Sequence, residues 1–206
     1  MAEAADYQRQ RRRRRRQRRA VAVAGFLLLA IGLAWFFESQ ATTTVIVTRH
    51  ADLPGAASAD PRPGTLLGPR GEQRARELAR VLADVDVVAG VDAIFVTDSR
   101  RSRDTGAPLA ASNSAPVHTV QDPADVEELV QRILREYKGK IVLVVTDAEL
   151  MQPVIAEMQG SKKLPKVAPR EYDNLYIVSI PWFGKVKTLR LRYGAAFQPP
   201  AESGAT

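Results

Sequence analysis

The chain has 206 residues, a formal net charge of +7, two histidines and no cysteine. The lack of cysteine excludes disulfides and thiolate metal sites, and two histidines without clustered carboxylates argue against a dedicated metal site. The first 20 residues hold nine arginines and two acidic residues, which leaves 21 basic and 21 acidic residues in the rest of the chain. Because the positive charge is confined to this tail, nucleic acid is not an expected partner.

Residues 20–37 follow the basic tail of residues 1–19 directly, and they are uncharged and almost wholly apolar. A helix of 18 residues is about 27 Å long, close to the hydrocarbon thickness of a bilayer, and Trp35 suits a membrane interface. We therefore predict one transmembrane helix over residues 20–37. The positive-inside rule then keeps the N-terminus in the cytoplasm and places the C-terminal domain on the outer side of the inner membrane. The arginines are also suited to contact anionic lipid headgroups.

The sequence leaves open whether this apolar segment is removed. Ser39-Gln40-Ala41 offers small residues at which a signal peptidase could cut, so a secreted form is one alternative. The apolar stretch is longer than the usual hydrophobic region of a signal peptide, which favours an uncleaved signal anchor.

The rest of the chain reads as a linker at residues 38–43, one domain at residues 44–195 and a disordered tail at residues 196–206. Periodicity and turn residues predict strands at residues 44–48, 93–97, 117–120, 141–145, 175–180 and 186–191. They predict helices at residues 69–84, from a cap at Asp98 or Ser99 to about residue 111, at 122–137 and at 148–158. This alternation predicts an α/β three-layer sandwich with a mostly parallel sheet, an antiparallel edge, and residues 141–145 as a central strand.

Two of the predicted strands end in arginine. Arg49 and His50 follow the first strand, and the cluster at residues 98–103 follows the second. The carboxyl ends of parallel strands meet at one edge of a sheet, where such folds bind their ligands. Arginines from two strand ends therefore predict a site for an anion, and a phosphoryl group fits best.

These motifs resemble a known family. Thr48-Arg49-His50-Ala51 is similar to the Arg-His signature of the histidine phosphatase superfamily, also called phosphoglycerate mutase-like. Further matches, in the same order and with similar spacing, are the first-helix motif at residues 71–75, the second basic motif at residues 97–105, and the C-terminal segments 171–176 and 189–194. The resemblance covers about residues 43–194 and implies the phosphoglycerate mutase-like fold.

The resemblance also implies roles for individual residues. His50 would be the nucleophile that becomes phosphohistidine, and Arg49 and Arg101 would bind the phosphoryl oxygens. Arg101 holds the place of the family arginine, four residues before Thr105, whereas Arg100 and Arg103 are expected to be solvated. No cofactor and no metal is implied, and the expected substrate is a phosphorylated small molecule or a phosphoprotein.

The chain departs from the family at the end of the central strand, where the family has a second histidine and this chain has Thr146-Asp147. Without a gap, Asp147 replaces that histidine and would repel a phosphate, by about 4 kcal/mol for like charges 4 Å apart at an effective dielectric of 20. Shifted by one residue, Thr146 takes the place of the histidine, and Asp147 that of the general acid in the acid phosphatase branch. Three hypotheses follow: a membrane-anchored phosphomonoester hydrolase of weak activity, a degenerate pseudophosphatase that binds an anion or a partner, or a purely structural interaction module of the cell envelope.

Other ionisable residues are assigned structural positions. His118 lies within a predicted strand and is expected on a sheet face. Glu127 and Glu128 are expected to be solvated on a helix, and Asp122 is a candidate helix cap.

Overall fold

The computed structural model describes residues 2–39, 42–55, 64–86, 90–121, 125–182 and 184–198. The chain divides into two compact units, Met1–Ala41 and Thr42–Thr206. The first unit is one helix, α1 (Ala2–Ser39). Its segment Arg13–Phe36 is, by length and composition, long and apolar enough to cross a membrane.

The second unit alternates strands and helices. Its strands are β1 (Thr42–Arg49), β2 (Ala93–Thr97), β3 (Val117–Val120), β4 (Ile141–Thr146), β5 (Asn174–Pro181) and β6 (Lys187–Arg192). Its helices are α2 (Pro69–Ala83), α3 (Arg100–Asn113), α4 (Val126–Glu136) and α5 (Ala148–Glu157). Among the described residues the strands form one sheet in the order β3-β2-β4-β1-β5-β6.

The sheet is mixed in the way the sequence predicts. Strands β3, β2, β4 and β1 run parallel, and β5 and β6 add an antiparallel edge beside β1. Strand β4 lies between β2 and β1, which confirms its predicted central position. The carboxyl ends of β1, β2 and β4 therefore lie at the same edge of the sheet, and this edge carries the arginine-rich motifs.

Alternate residues of the central strands pack on opposite faces. Val45 and Val47 belong to one core cluster with side chains from α4 and α5. Ile46 belongs to a second cluster with Leu78 and Leu82 of α2 and Leu109 of α3. This period of two buries both faces of the sheet and produces the predicted three-layer sandwich.

Several boundaries differ from the sequence-based prediction. The linker at residues 38–43 is shorter, because α1 continues to Ser39 and β1 already begins at Thr42. Helix α4 begins only after Asp125, whose side chain accepts a hydrogen bond from the Glu128 amide at 2.9 Å; Asp122, the candidate cap, lies outside the described residues. Strand β4 extends to Thr146.

A further observation concerns the tail predicted to be disordered from residue 196. The backbone amide of Phe197 donates to Asp173 Oδ2 at 2.9 Å, which fixes the chain at this point against the loop before β5. The prediction for residues 199–206 falls outside the described residues.

Candidate functional site

The pairing of β1 with β4 brings Arg49-His50 beside Thr146-Asp147. Arg49 and Thr146 are register partners at the ends of β1 and β4, and the amide of His50 donates to the carbonyl of Thr146 at 3.0 Å. His50 and Asp147 are the next residues on the two strands. Asp147 Oδ1 lies 3.5 Å from Nε2 of His50, so the carboxylate of Asp147 points into the site.

The imidazole of His50 is held in one orientation. It is 1% exposed, and its Nδ1 lies 2.8 Å from the carbonyl oxygen of Ala51. Because a carbonyl oxygen can only accept, Nδ1 is the donor, and the lone pair of the neutral ring is on Nε2. The amide of Ala51 in turn donates to Thr105 Oγ1 at 2.9 Å, which ties this turn to α3.

Burial lowers the pKa of His50 from its ordinary value of 6.5 to about 4, and the positive charges of Arg49 and Arg101 act in the same direction. The hydrogen bond to Ala51 and the charge of Asp147 act in the opposite direction but are smaller than the burial effect. His50 is therefore neutral at physiological pH. A neutral imidazole with a free Nε2 is the form that can act as a nucleophile.

Arg101 lies opposite His50 and is bound to Asp147. Its Nε and Nη2 donate to Asp147 Oδ1 at 2.9 and 2.7 Å, and the Arg101 residue is only 6% exposed. The first turn of α3 is fixed by Ser99, whose side chain accepts from the amide of Ser102 at 3.3 Å. Of the two candidate caps that the sequence offers, Asp98 and Ser99, the structure therefore shows Ser99 as the N-cap.

Arg49 points from the end of β1 towards the loop before β5. Its Nη1 donates to the carbonyl of Pro169 at 2.9 Å and, more weakly, to the carbonyls of Ala168 and Glu171 at 3.3 and 3.4 Å. Its guanidinium carbon lies 4.3 Å from the centre of the Tyr172 ring. Burial lowers the pKa of Arg49, but arginine remains charged at any physiological pH. Its buried Nε has no hydrogen-bond partner among the described residues.

Five other ionisable residues singled out by the sequence have their contacts outside this site. Arg100 and Arg103 are exposed and pair with Asp104 and Asp98 on the surface of α3, as expected from the sequence. His118 packs on Phe95 with ring centres 4.8 Å apart, and its Nε2 lies 2.6 Å from the hydroxyl of Tyr137. These contacts confirm it as a residue of the sheet face. Glu127 and Glu128 are both exposed.

Sequence reasoning assigned no role to Tyr172, although its segment was part of the family resemblance. The ring of Tyr172 lies beside both Arg49 and His50. It stacks on the guanidinium of Arg49, and its centre is 5.8 Å from the centre of the His50 ring. The residues on either side of Tyr172, Glu171 and Asp173, are buried and form ion pairs with Arg190 and Arg192 of β6. Nothing in the local pattern indicates that this loop folds over the end of β1.

The described residues contain no group of three or more histidine, cysteine, aspartate or glutamate side chains that could hold a metal ion. The chemistry available at this edge of the sheet is therefore a neutral histidine, two arginines and one carboxylate. This set can bind a tetrahedral oxyanion through the arginines and present Nε2 of His50 to its central atom.

Comparison with solved structures identifies this architecture. A protein histidine phosphatase SixA, determined in complex with tungstate, matches with a TM-score of 0.57 and 18% identity, over 72% of this chain and 96% of that one. The domain has the fold of the histidine phosphatase superfamily. YhfR of Bacillus stearothermophilus matches with a TM-score of 0.52 and 18% identity, over 66% of this chain and 90% of that one.

A phosphoglycerate mutase from Plasmodium falciparum also shares the histidine phosphatase fold, with a TM-score of 0.51 and 15% identity, over 81% of this chain and 99% of that one. These matches confirm the fold that the motifs predict. No family model matches the sequence, and no curated protein matches it either.

Proposed function

We propose that this protein is a membrane-anchored phosphomonoester hydrolase of low activity in which His50 is the nucleophile. The observation that carries the proposal is the orientation of His50: Nδ1 is bound by the Ala51 carbonyl at 2.8 Å, and Nε2 lies 3.5 Å from Asp147 Oδ1, the oxygen to which Arg101 donates. A hydrolase needs this arrangement, because the nucleophilic nitrogen must be unprotonated and must face the groups that bind the phosphoryl oxygens.

In the proposed reaction, Nε2 of His50 attacks phosphorus, the N–P bond forms, and the bond from phosphorus to the leaving-group oxygen breaks. Arg101 and the unpaired Nε of Arg49 bind the non-bridging oxygens, where negative charge is concentrated. The leaving oxygen takes a proton, with Asp147 as general acid in one of the two registers and water as the donor in the other. Water then attacks the phosphohistidine, which releases phosphate and restores the neutral imidazole.

Asp147 supports the second hypothesis, a pseudophosphatase that binds an anion or a partner without turnover. Its Oδ1 already accepts two hydrogen bonds from Arg101, at 2.9 and 2.7 Å. A phosphate must therefore compete with a carboxylate for the same guanidinium and is also repelled by it. This competition is the physical reason that we expect low activity rather than a fast enzyme.

The membrane anchor is part of the proposal. It is supported by the segment Arg13–Phe36, which can span a bilayer by length and composition, and by the arginines that precede the apolar residues. The positive-inside rule then gives a cytoplasmic N-terminus and a domain outside the inner membrane. The structural neighbours with phosphatase or mutase activity in their names support a phosphorylated small molecule or phosphoprotein as the substrate.

The test is hydrolysis of p-nitrophenyl phosphate by the full-length protein in detergent micelles, beside the variants His50→Ala and Asp147→His. His118→Ala is the matched control, since His118 lies on the sheet face. Turnover that disappears in His50→Ala but persists in His118→Ala supports the hydrolase. If the unaltered protein does not hydrolyse the substrate but Asp147→His does, the protein is a pseudophosphatase that lost catalysis at this position. Absence of hydrolysis in the unaltered protein and in every variant rejects the hydrolase.

A further inference from the structure

Strand β1 begins at the edge of the sheet opposite His50, and none of the roles proposed above uses this edge. The β5–β6 turn reaches it, because β5 runs antiparallel to β1 and Pro181 pairs with Thr42. The turn before β4 reaches it as well, since the backbone amide of Thr44 donates to the carbonyl of Lys140 at 2.9 Å. The start of β1 and these two turns form one surface, which we call the β1-start surface.

The β1-start surface carries an exposed aromatic ring and exposed positive charges. Trp182, in the β5–β6 turn, is 66% exposed. The exposed lysines come from the turn before β4, the β5–β6 turn and the start of β6: Lys138, Lys185 and Lys187. None of the three forms an ion pair with a described residue, whereas Lys140 is paired with Asp92 at 3.2 Å. The surface is therefore apolar at one point and positively charged around the turns.

This combination suits the headgroup layer of a membrane. A tryptophan ring has an apolar body and a polar N–H, which is why tryptophan is enriched where hydrocarbon meets water. Lysines add attraction to the phosphate groups of anionic lipids, and their long stems lie along apolar surface while the ammonium stays in water.

The short connection from the apolar helix to this surface indicates what covers it. The segment that can span a membrane ends at Phe36, α1 ends at Ser39 and β1 begins at Thr42. The three residue steps from Ser39 to Thr42 reach at most about 10 Å, which is comparable to the roughly 5–8 Å depth of a headgroup layer. In an anchored chain, the surface that continues from Thr42 is thus held close to lipid headgroups.

We propose that Trp182 and the lysines of the β1-start surface dock on the phospholipid headgroups of the membrane that holds the anchor. The inference rests on the anchor in the proposed function and does not depend on hydrolysis. Strand β1 has eight residues and is about 25 Å long, so this docking keeps His50 about that far from the headgroups. The groups that reach His50 then come from the aqueous phase or from another protein, and not from lipids of the same membrane.

The test uses the two tryptophans of the full-length protein, Trp35 and Trp182. The variant Trp35→Phe leaves Trp182 as the only emitter, and Trp182→Phe leaves Trp35, which reports the anchor. Each is placed in lipid nanodiscs of phosphatidylcholine, with or without phosphatidylglycerol, because both faces of a nanodisc are open to solvent. Quenching of the emission by aqueous acrylamide measures which fraction of each tryptophan is shielded.

Two double variants in the Trp35→Phe protein test the lysines. Lys185→Gln with Lys187→Gln removes two positive charges from the β1-start surface. Arg70→Gln with Arg170→Gln is the matched control, because it removes two exposed positive charges that border a cavity with Tyr172, at the His50 edge. Both double variants change the net charge equally.

We expect Trp182 to be shielded in nanodiscs with phosphatidylglycerol and less shielded in phosphatidylcholine alone. Each lysine near an anionic surface favours the docked state about fivefold, so the lysine double variant should lower the ratio of shielded to accessible Trp182 about twentyfold. The arginine double variant should leave this ratio unchanged. An accessible Trp182 in nanodiscs with phosphatidylglycerol, equal shielding without that lipid, or an equal response to both double variants would overturn the inference.

Failure of the anchor is distinguishable from failure of the docking. Accessible Trp35 would reject the anchor and this inference with it, whereas shielded Trp35 with accessible Trp182 would reject the docking alone. Failure of the proposed hydrolase appears as absent turnover and leaves the quenching of both tryptophans unchanged.

Discussion

Asp147 Oδ1 accepts hydrogen bonds from both Nε and Nη2 of Arg101, at 2.9 and 2.7 Å. The same oxygen lies 3.5 Å from Nε2 of His50. A carboxylate of the protein itself therefore stands between the proposed nucleophile and the arginine that would bind its substrate. The charge of Arg101 is therefore already balanced by Asp147 before any ligand enters, and this pairing determines how the site responds to substitution.

Neutralising Asp147 should strengthen anion binding. In Asp147→Asn the repulsion of an anion is removed and Arg101 loses its ion pair with a carboxylate, so we expect the affinity for inorganic phosphate or tungstate to rise about ten- to a hundredfold; solvent at the partly exposed carboxylate keeps the gain below the full Coulomb energy. Titration calorimetry measures this affinity. Asp104→Asn is the control, because Asp104 pairs with the exposed Arg100 on the same helix as Arg101. An unchanged affinity in Asp147→Asn would show that this carboxylate does not limit anion binding.

The pKa of His50 predicts a dependence of stability on pH. The value is about 4 in the folded protein and 6.5 ordinarily, so between these values the unfolded chain binds the additional proton. Stability from this group is complete above pH 6.5 and is lost as the pH falls towards 4, by up to about 3 kcal/mol. Denaturant unfolding between pH 4 and 7 measures the slope.

The variant His50→Gln should show a clearly smaller slope than the unaltered protein. His118 also has a pKa lowered by burial, but less strongly, so His118→Gln should retain most of the loss. If the two variants have the same slope, the assignment of the effect to His50 is wrong. The same reasoning applies to turnover: its acidic limb should lie near pH 4 rather than 6.5.

Removing the unpaired hydroxyl of Tyr172 should stabilise the free protein. The variant Tyr172→Phe keeps the ring that stacks on Arg49 and eliminates a buried polar group without a partner, so we expect a gain of about 1 kcal/mol in the free energy of unfolding. Tyr193→Phe is the comparison, because the Tyr193 hydroxyl accepts from Thr48 at 3.5 Å; this variant should be neutral or slightly destabilised. A loss of stability in Tyr172→Phe would mean that the hydroxyl has a partner in solution.

Gly71 at the start of α2 is required by close backbone contact. A Cβ at this position would overlap the carbonyl oxygen of Asp52, in the chain just after His50. Gly71→Ala should therefore lower the free energy of unfolding by about 1–3 kcal/mol and displace the turn after His50. A Cβ at Gly64 would meet nothing within 4 Å, so Gly64→Ala should change stability by less than about 0.5 kcal/mol. Equal effects of the two substitutions would contradict the packing argument.

The membrane anchor can be tested by fractionation and protease accessibility. The full-length protein should resist carbonate extraction, and protease added outside spheroplasts should digest the domain but leave the arginine tail protected. Leu28→Arg combined with Ile31→Arg should release the protein, since each arginine at the centre of a spanning helix costs about 2.5–3.5 kcal/mol. Extraction of the unaltered protein by carbonate would reject the anchor, and protection of the domain would reverse the proposed topology.

The sequence predicts the layers of this fold well because they depend on local periodicity. The alternation in β1 and the unbroken apolar run of β4 identify buried strands, and the ends of these strands locate His50 and Asp147 correctly. The direction of a side chain at a strand end depends on contacts from elsewhere in the chain. For this reason the sequence left two registers open at Asp147, and the inward carboxylate was visible only in the structure.

Long-range contacts also explain what the sequence did not reveal. Tyr172 and the carbonyls of Ala168 and Pro169 reach Arg49 across more than a hundred residues, and no periodic pattern encodes such a contact. The Pro- and Ala-rich composition around Phe197 predicts a disordered tail, and it gives no indication of the hydrogen bond from the Phe197 amide to Asp173. Composition describes the average behaviour of a segment and does not register a single contact of this kind.

The pairing of Arg49 with Thr146 at the ends of β1 and β4 has a consequence for how this protein could change. Backbone pairing within the sheet sets the separation of β1 and β4 at this edge. This pairing does not depend on which side chain residue 147 carries. A partly exposed position directly after a strand can accept many side chains without loss of the core. Saturation mutagenesis of this single codon would therefore vary the charge and acidity beside His50 while the scaffold stays constant. In evolution, substitution at position 147 would likewise be a short route between anion binding and catalysis.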